Sequence, residues 1–440
     1  MQFPVHRRHE VSSGTMNRFF VLVPLLAAWP AAAAQAQLGN PLKQLLRRDT
    51  TAAVRRVLAN PDAHRVQIIY TQIRRDAAGK PQFKSYAYRL KPSEYFYPAS
   101  TVKLPAAAVA LQKMRRLNAA KLEPETPLRI DSAFAGQTRV LLDSSALGYR
   151  PTIGQYIRKV LLVSDNDAFN RLYEYVGQQE LNASLRQVGL AQTRIIHRLS
   201  VGDKEPGSRQ TNPVTFFADT TLRTELYRQP AAFNEGALPP MVATNIRIGK
   251  AYVDGSRRVE QPLDFSTKNE FPLHDQQQVL RALLFPESVP PQRRFGLGSD
   301  DYAFLRKYMR LLPRQSRYPK YNPAEYPDNY AKFLLAGGKA AALPEGVRIY
   351  NKIGQAYGFL IDNACIVDSV RGVEFMLSAV VYANHDEVLN DDQYDYDTVG
   401  FPFLRRLGEL VYQYELGRTA PRRREQVRTY WSEQHERATP

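Results

Sequence analysis

Tyr97-Pro98-Ala99-Ser100-Thr101-Val102-Lys103-Leu104 is the stretch on which the fold turns. Behind it Leu104, Ala108, Leu111 and Met114 repeat at helical spacing, which predicts a helix from Ser100 to Leu117 with Pro105 tolerable only in its first turn. Ser100 then stands at a helix N-terminus, and Lys103, three residues on, shares its face. The lysine amine comes within reach of the serine hydroxyl and lowers the cost of deprotonating it. The N-terminal backbone N–H groups and the positive end of the helix dipole favour the alkoxide and any oxyanion that follows its attack. Taken alone, a Ser-x-x-Lys pair also describes an N-cap serine with a surface lysine.

Two more clusters follow in order along the chain. Ser164-Asp165-Asn166 falls in a turn between two predicted helices, about Thr152 to Leu162 and Ala168 to Val176, and Lys352-Ile353-Gly354 falls at the end of a predicted strand. With these three clusters the sequence resembles the penicillin-recognising serine hydrolases, most closely the class A β-lactamase type, whose signature is S-x-x-K, S-D-N and K-T-G. The resemblance implies that Ser100 is the acylated nucleophile and Lys103 its base or proton relay. It implies that Ser164, helped by Lys352, passes a proton to the leaving group, and that Asn166 hydrogen-bonds the substrate amide and Lys103. The backbone N–H groups of Ser100 and Gln355 would form the oxyanion hole beside Gly354. No cofactor and no metal is implied.

Two departures from that pattern bear on function. Ile353 stands where the family has Thr or Ser, a loss expected to weaken recognition of a substrate carboxylate by about 1.5–3 kcal/mol. Tyr357 either offers a replacement hydroxyl or packs as a strand tyrosine. The second departure concerns deacylation, which in class A enzymes resembles general-base catalysis by a Glu on a loop. Glu205-Pro206 looks like that Glu-Pro pair, but the segment from Glu205 to Pro213 is short, and Glu205 is either the deacylating base or a solvated turn residue.

The rest of the chain sets the context. It has 440 residues, 44% hydrophobic and 23% charged, which excludes collagen-like or wholly disordered chains and leaves enough length for a sizeable core. One cysteine, Cys365, excludes an intramolecular disulfide and cysteine-based metal centres. Sixty Lys and Arg against 43 Asp and Glu give +17, a charge spread along the chain except for a cluster at Arg418 to Arg437, read as a solvated basic tail over 417–440. Met16, Asn17 and Arg18 precede the apolar run Phe19 to Trp29 and an Ala34-Gln35-Ala36 pattern, which predicts an export signal cleaved near Ala36, residues 1–15 being an upstream extension. The mature protein is therefore expected in the periplasm or secreted, without a permanent membrane span, as a monomer and with no nucleic-acid partner.

Element by element, a helix is predicted from Asn40 to Asn60, then a hairpin of Val66 to Ile73 with Phe83 to Leu90. Helices are predicted at Leu181 to Val188 and Pro213 to Leu226, strands at Val347 to Ile353, Gly358 to Val367 and Val373 to Tyr382, and a closing helix at Phe403 to Tyr414. Strands at both ends with helices between them give an α+β domain over 38–416 whose antiparallel sheet joins N- and C-terminal segments beside a helical subdomain. About 248–338 periodicity fades and Tyr and Pro accumulate, which reads as an inserted subdomain. Tyr318, Tyr321, Tyr326 and Tyr330 there are either stacking surfaces or packing. The histidines, His197 among them, show no metal-ligand spacing, and the acidic run Asp386, Glu387, Asp391, Asp392, Asp395 and Asp397 reads as a solvated loop. The expected activity is acyl-enzyme hydrolysis of a β-lactam or a related amide or ester. The alternatives are a D-alanyl-D-alanine peptidase acting on cell-wall peptide and a non-catalytic wall-binding protein on the same fold.

Overall fold

The computed structural model describes residues 39–117, 121–202, 205–338 and 342–436. The predicted export signal and its upstream extension, residues 1–36, lie outside the described residues. The chain divides into the units Met1–Asn40 and Pro41–Pro440, and everything below concerns the second.

Five strands form the central sheet: β1 (Gln67–Arg75), β2 (Pro81–Tyr88), β3 (Val347–Ala356), β4 (Phe359–Asp368) and β5 (Val373–Tyr382). Their spatial order is β3-β4-β5-β1-β2 and every pairing is antiparallel, so the N-terminal hairpin docks beside the last strand of the C-terminal meander. β4 and β5 are buried along their whole length because both sheet faces are covered.

Side chains alternate between two apolar layers. One holds Ile69, Ile361, Cys365 and Met376 with the helices α3 (Lys103–Arg116), α4 (Ile153–Leu162), α5 (Asn166–Val176) and α6 (Gln178–Gln187). The other holds Ile68, Tyr70, Leu360 and Phe375 with α1 (Pro41–Arg48), α2 (Ala52–Ala59) and α9 (Phe401–Leu416). The α+β expectation is met, with strands from both ends of the chain enclosing the helices.

Four predicted elements are corrected. The single helix from Asn40 is two, because Asp49 accepts a hydrogen bond from the Thr51 amide and pairs with Arg406 of α9, fixing a turn between α1 and α2. The helix predicted over Pro213 to Leu226 is instead two antiparallel strands, Val214–Phe217 and Glu225–Gln229, the first also pairing with Leu128–Ile130. Its β-branched and aromatic run Val-Thr-Phe-Phe outweighs the helical spacing.

The stretch 248–338 is not one inserted unit. It contains α7 (Leu273–Leu284) and α8 (Ser299–Arg310), whose Leu280, Leu283 and Leu305 are fully buried in the helical-side core, and Gln276 of α7 accepts from Asn363 of β4. Three of the tyrosines there pack on one another, Tyr326 lying 5.1 Å from Tyr321 and 5.0 Å from Tyr330 between ring centroids, whereas Tyr318 is exposed. The basic tail is also a helix, α10 (Pro421–Glu436), which buries Val427 and Trp431 while its arginines face outward or pair with Glu415. Residues 437–440 lie outside the described residues.

Candidate active site

Ser100 sits in a 3-10 turn, Ala99–Val102, that runs directly into α3. Ala99 has φ +48° and Ser164 φ +60°, left-handed conformations that non-glycine residues adopt at a cost and that mark over-determined positions. In the turn before α5, Asp165 accepts from the Ala168 amide at 2.8 Å and so caps the helix that begins with Asn166. The three sequence clusters therefore reach the site from a helix entry, an interhelical turn and a sheet edge.

They converge on two buried amines. Lys103 Nζ lies 2.8 Å from Ser100 Oγ, 2.6 Å from Asn166 Oδ1 and 3.2 Å from Ser164 Oγ, and it also contacts the Ser164 carbonyl. Lys352 Nζ lies 2.8 Å from Ser164 Oγ and 3.1 Å from the Ile353 carbonyl. Burial lowers the Lys103 amine to about 7, against a smaller opposing pull from Asp165. Lys352 is pushed well below the ordinary lysine value, first by burial and then by the neighbouring Lys103 charge, with Asp362 opposing. With a neutral Lys103 amine, the short contact to Ser100 lets the hydroxyl donate, which is the geometry of a nucleophile and its base.

Gly354 is required by close approach. A Cβ there would lie 2.7 Å from the Pro98 carbonyl oxygen and 3.1 Å from Thr101 Cγ2, so only glycine lets β3 lie against the turn that carries Ser100. Gln355 follows it and lines, with Ser100, a cavity of about 540 Å³ also bounded by Asn166, Ser200, Tyr357 and Asp392. Tyr357 both packs and lines: its ring meets Tyr97 edge-on at 4.9 Å and faces this cavity. A larger cavity of about 1080 Å³ beside Arg310 and Arg348 shares no lining residue with it.

Two sequence expectations change. Ile353 alternates onto the sheet face opposite Lys352 and is buried in the layer with Leu360 and Phe403, so its side chain packs the core and does not line the cavity. Glu205 is drawn outward: it is exposed, pairs with Arg209 at 3.1 Å, and is absent from the cavity wall. Arg209 is itself fastened to the carbonyls of Asn234 and Gly236. Among the described residues no carboxylate hydrogen-bonds Lys103.

His197 is engaged structurally, with Nδ1 2.6 Å from the Arg198 carbonyl, Nε2 accepting from the Asn269 amide, and its ring stacked on Tyr97. Sequence reasoning did not find Ser200, Tyr394 or Tyr396 as wall residues, and it placed Asp392 in a solvated loop. Ser200 is exposed yet bonded to Asn166 Nδ2 at 2.9 Å, a contact made by folding that no local pattern announces.

Residues 50–233, which carry Ser100, Lys103, Ser164 and Asn166, match the sequence model of Beta-lactamase2, described as a beta-lactamase enzyme family. Over those residues the chain is similar to the β-lactamases. Lys352 joins that β-lactamase-like site from β3, outside the matched segment. Among solved structures, a β-lactamase from Burkholderia phymatum is 14% identical over 86% of this chain and 98% of its own, with a TM-score of 0.44. A class A β-lactamase from Clostridium kluyveri is 15% identical over 86% and 98%, also at 0.44, and a β-lactamase from Xanthomonas campestris is 15% identical over 86% and 97%, at 0.42. No curated protein matches the chain.

Proposed function

We propose that this protein is a serine hydrolase that forms an acyl-enzyme at Ser100, acting on a β-lactam or a related amide or ester. The observation that carries the reading is the contact between Ser100 Oγ and a buried Lys103 amine whose pKa lies near neutrality. Ser100 Oγ attacks the substrate carbonyl while its proton passes to Lys103. The oxyanion is held by the backbone N–H groups of Ser100 and Gln355. As the carbon–nitrogen or carbon–oxygen bond breaks, Ser164 gives its proton to the leaving group, and Lys103 or Lys352, both in contact with its hydroxyl, restores it. Water then cleaves the ester at Ser100.

One observation favours a second, peptidase-like reading with a long-lived acyl-enzyme. Glu205 is paired with Arg209 and is not part of the cavity wall, so among the described residues no glutamate lines the cavity to serve as a base for water. A wall-binding role without catalysis would need none of Ser100, Lys103, Ser164 and Lys352 to meet as they do. Export remains part of the proposal, on the charged and apolar pattern of residues 16–36. N-terminal sequencing of the chain recovered from fractionated cells tests it, a start near residue 37 being expected and an intact Met1 or Met16 overturning it.

Intact-protein mass spectrometry with a penicillin and a chromogenic cephalosporin, sampled from seconds to hours, tests the chemistry. An adduct on the wild type that is lost in Ser100→Ala supports the nucleophile. Its persistence over hours supports the peptidase-like reading, and rapid release with cephalosporin turnover supports a β-lactamase. An equal adduct in Ser100→Ala would overturn the assignment.

A further inference from the structure

The wall of the Ser100 cavity carries an unusual charge. Among the described residues that line it there is no lysine, arginine or histidine, since Lys103 and Lys352 lie buried and spend their amines on Ser100, Ser164 and Asn166. The one carboxylate among the described residues of the wall is Asp392.

Asp392 also differs from the other acids of its loop. Asp386 accepts from the Val388 amide, Asp391 from the Gln393 amide and Asp395 from His385, and Glu387 pairs with Lys250. These bonds hold the loop. Asp392 makes no hydrogen bond or ion pair among the described residues, is exposed, and has φ +59°, a left-handed conformation fixed by the bonds on either side of it. Next to it the Asn390 amide donates to Tyr394 Oη at 2.8 Å, and Tyr396 Oη accepts from the Gly358 amide at 2.9 Å, which ties the loop to the β3–β4 turn just beyond Gln355.

The rings of Tyr394 and Tyr396 are 5.1 Å apart at an angle of 37°, and burial first, with the Asp392 charge as a lesser contribution, raises both phenols above their ordinary value. Aromatic faces beside an uncommitted carboxylate attract an organic cation twice over, through the ring quadrupoles and through direct charge. The same wall repels a carboxylate, and nothing on it pairs with one.

We propose that Asp392, Tyr394 and Tyr396 form a cation-selecting subsite, so that the acyl donor bears an ammonium or quaternary ammonium group next to its aromatic or apolar portion and no carboxylate at that end. This rests on the cavity beside Ser100 being the substrate site. The subsite makes Asp392 a specificity-determining residue and the two tyrosines its platform.

Binding to the Ser100→Ala full chain tests the subsite without any acylation step, so its failure is distinguishable from failure of the acyl-enzyme reading. Three probes are titrated by calorimetry: benzyltrimethylammonium, N-benzylacetamide and phenylacetate. The cation is expected to bind at least about tenfold more tightly than phenylacetate, with the neutral amide between them. Asp392→Asn should shrink the gap to about twofold, and Tyr394→Leu should weaken the cation without strengthening the anion. Equal binding of cation and anion, or a preference that Asp392→Asn leaves unchanged, overturns the proposal. Circular dichroism of each variant, compared with the parent, identifies any that loses its fold, and Asp392→Glu should then keep the preference if charge is its source.

Discussion

Lys352 of β3 and Ser164 of the interhelical turn meet at 2.8 Å, and Ser164 is at the same time 3.2 Å from Lys103, so one hydroxyl bridges two buried amines. Such a bridge predicts coupled defects. Ser164→Ala and Lys352→Met should each slow acylation by about a hundredfold, and the double variant should be little slower than either, because both remove the same proton path. Rates of acyl-enzyme formation in the four proteins check this, and simple multiplicative losses would separate the two residues' roles.

Acylation should depend on pH through Lys103. Its amine is held at about 7 by burial, and only the neutral form accepts the Ser100 proton. The rate is therefore expected to rise with pH through about 7 and level above it. Lys103→Arg, whose guanidinium stays protonated, should lose the rising limb together with about 10²–10⁴ of the rate. A pH–rate profile from 5 to 9, roughly two units either side of that midpoint, is the measurement.

Gly354→Ala places a methyl group 2.7 Å from the Pro98 carbonyl, against backbone that cannot turn aside. It should cost about 1–3 kcal/mol of stability and lower the acylation rate by moving the Gln355 amide away from Ser100. Denaturant unfolding and acylation kinetics together read both effects.

Glu205→Gln should change little. Its carboxylate is exposed and engaged with Arg209, a pairing worth about 0–1 kcal/mol. The rate at which the Ser100 adduct is lost is expected to stay within about twofold of wild type, and a loss of more than tenfold would bring Glu205 back into the mechanism.

Trp431→Ala should destabilise the protein by about 3–5 kcal/mol, since the indole is buried and its N–H donates to Glu374 at 2.9 Å, a carboxylate also gripped by Arg75. Thermal or denaturant unfolding measures it. A solvated tail would give no change.

The sheet and the four side chains that meet at Ser100 were legible in the sequence because they write themselves locally. β-branched runs make β3 to β5, and Ser100, Lys103, Ser164 and Lys352 sit in short motifs whose order survives any insertion between them. What stayed hidden depends on contacts between distant segments. Residues 213–226 follow a spacing that suits a helix until Leu128–Ile130 offers a strand to pair with. Val427 and Trp431 are two apolar residues among many arginines, and their burial follows from the groove that Tyr350 and Phe285 leave for the indole. Ile353 and Glu205 were placed in the site by motif position alone, whereas strand alternation turns the first away and Arg209 draws off the second.

The sheet places β1, near the start of the chain, between β2 and β5, near its end. A growing polypeptide therefore holds the β1–β2 hairpin unsupported until residues 373–382 have been made, and only then does the hydrogen-bonded row along β1 find its second neighbour. Closure of so long a loop is slow and comes late. The Ser100 pocket inherits that timing, because β3, which brings Lys352 and Gln355, joins the sheet through β4 and β5. Ser100, Lys103, Ser164, Lys352 and the Gln355 amide thus come together only once the C-terminal strands are in place, and a chain made only as far as α8 carries Ser100 without Lys352 or Gln355 beside it.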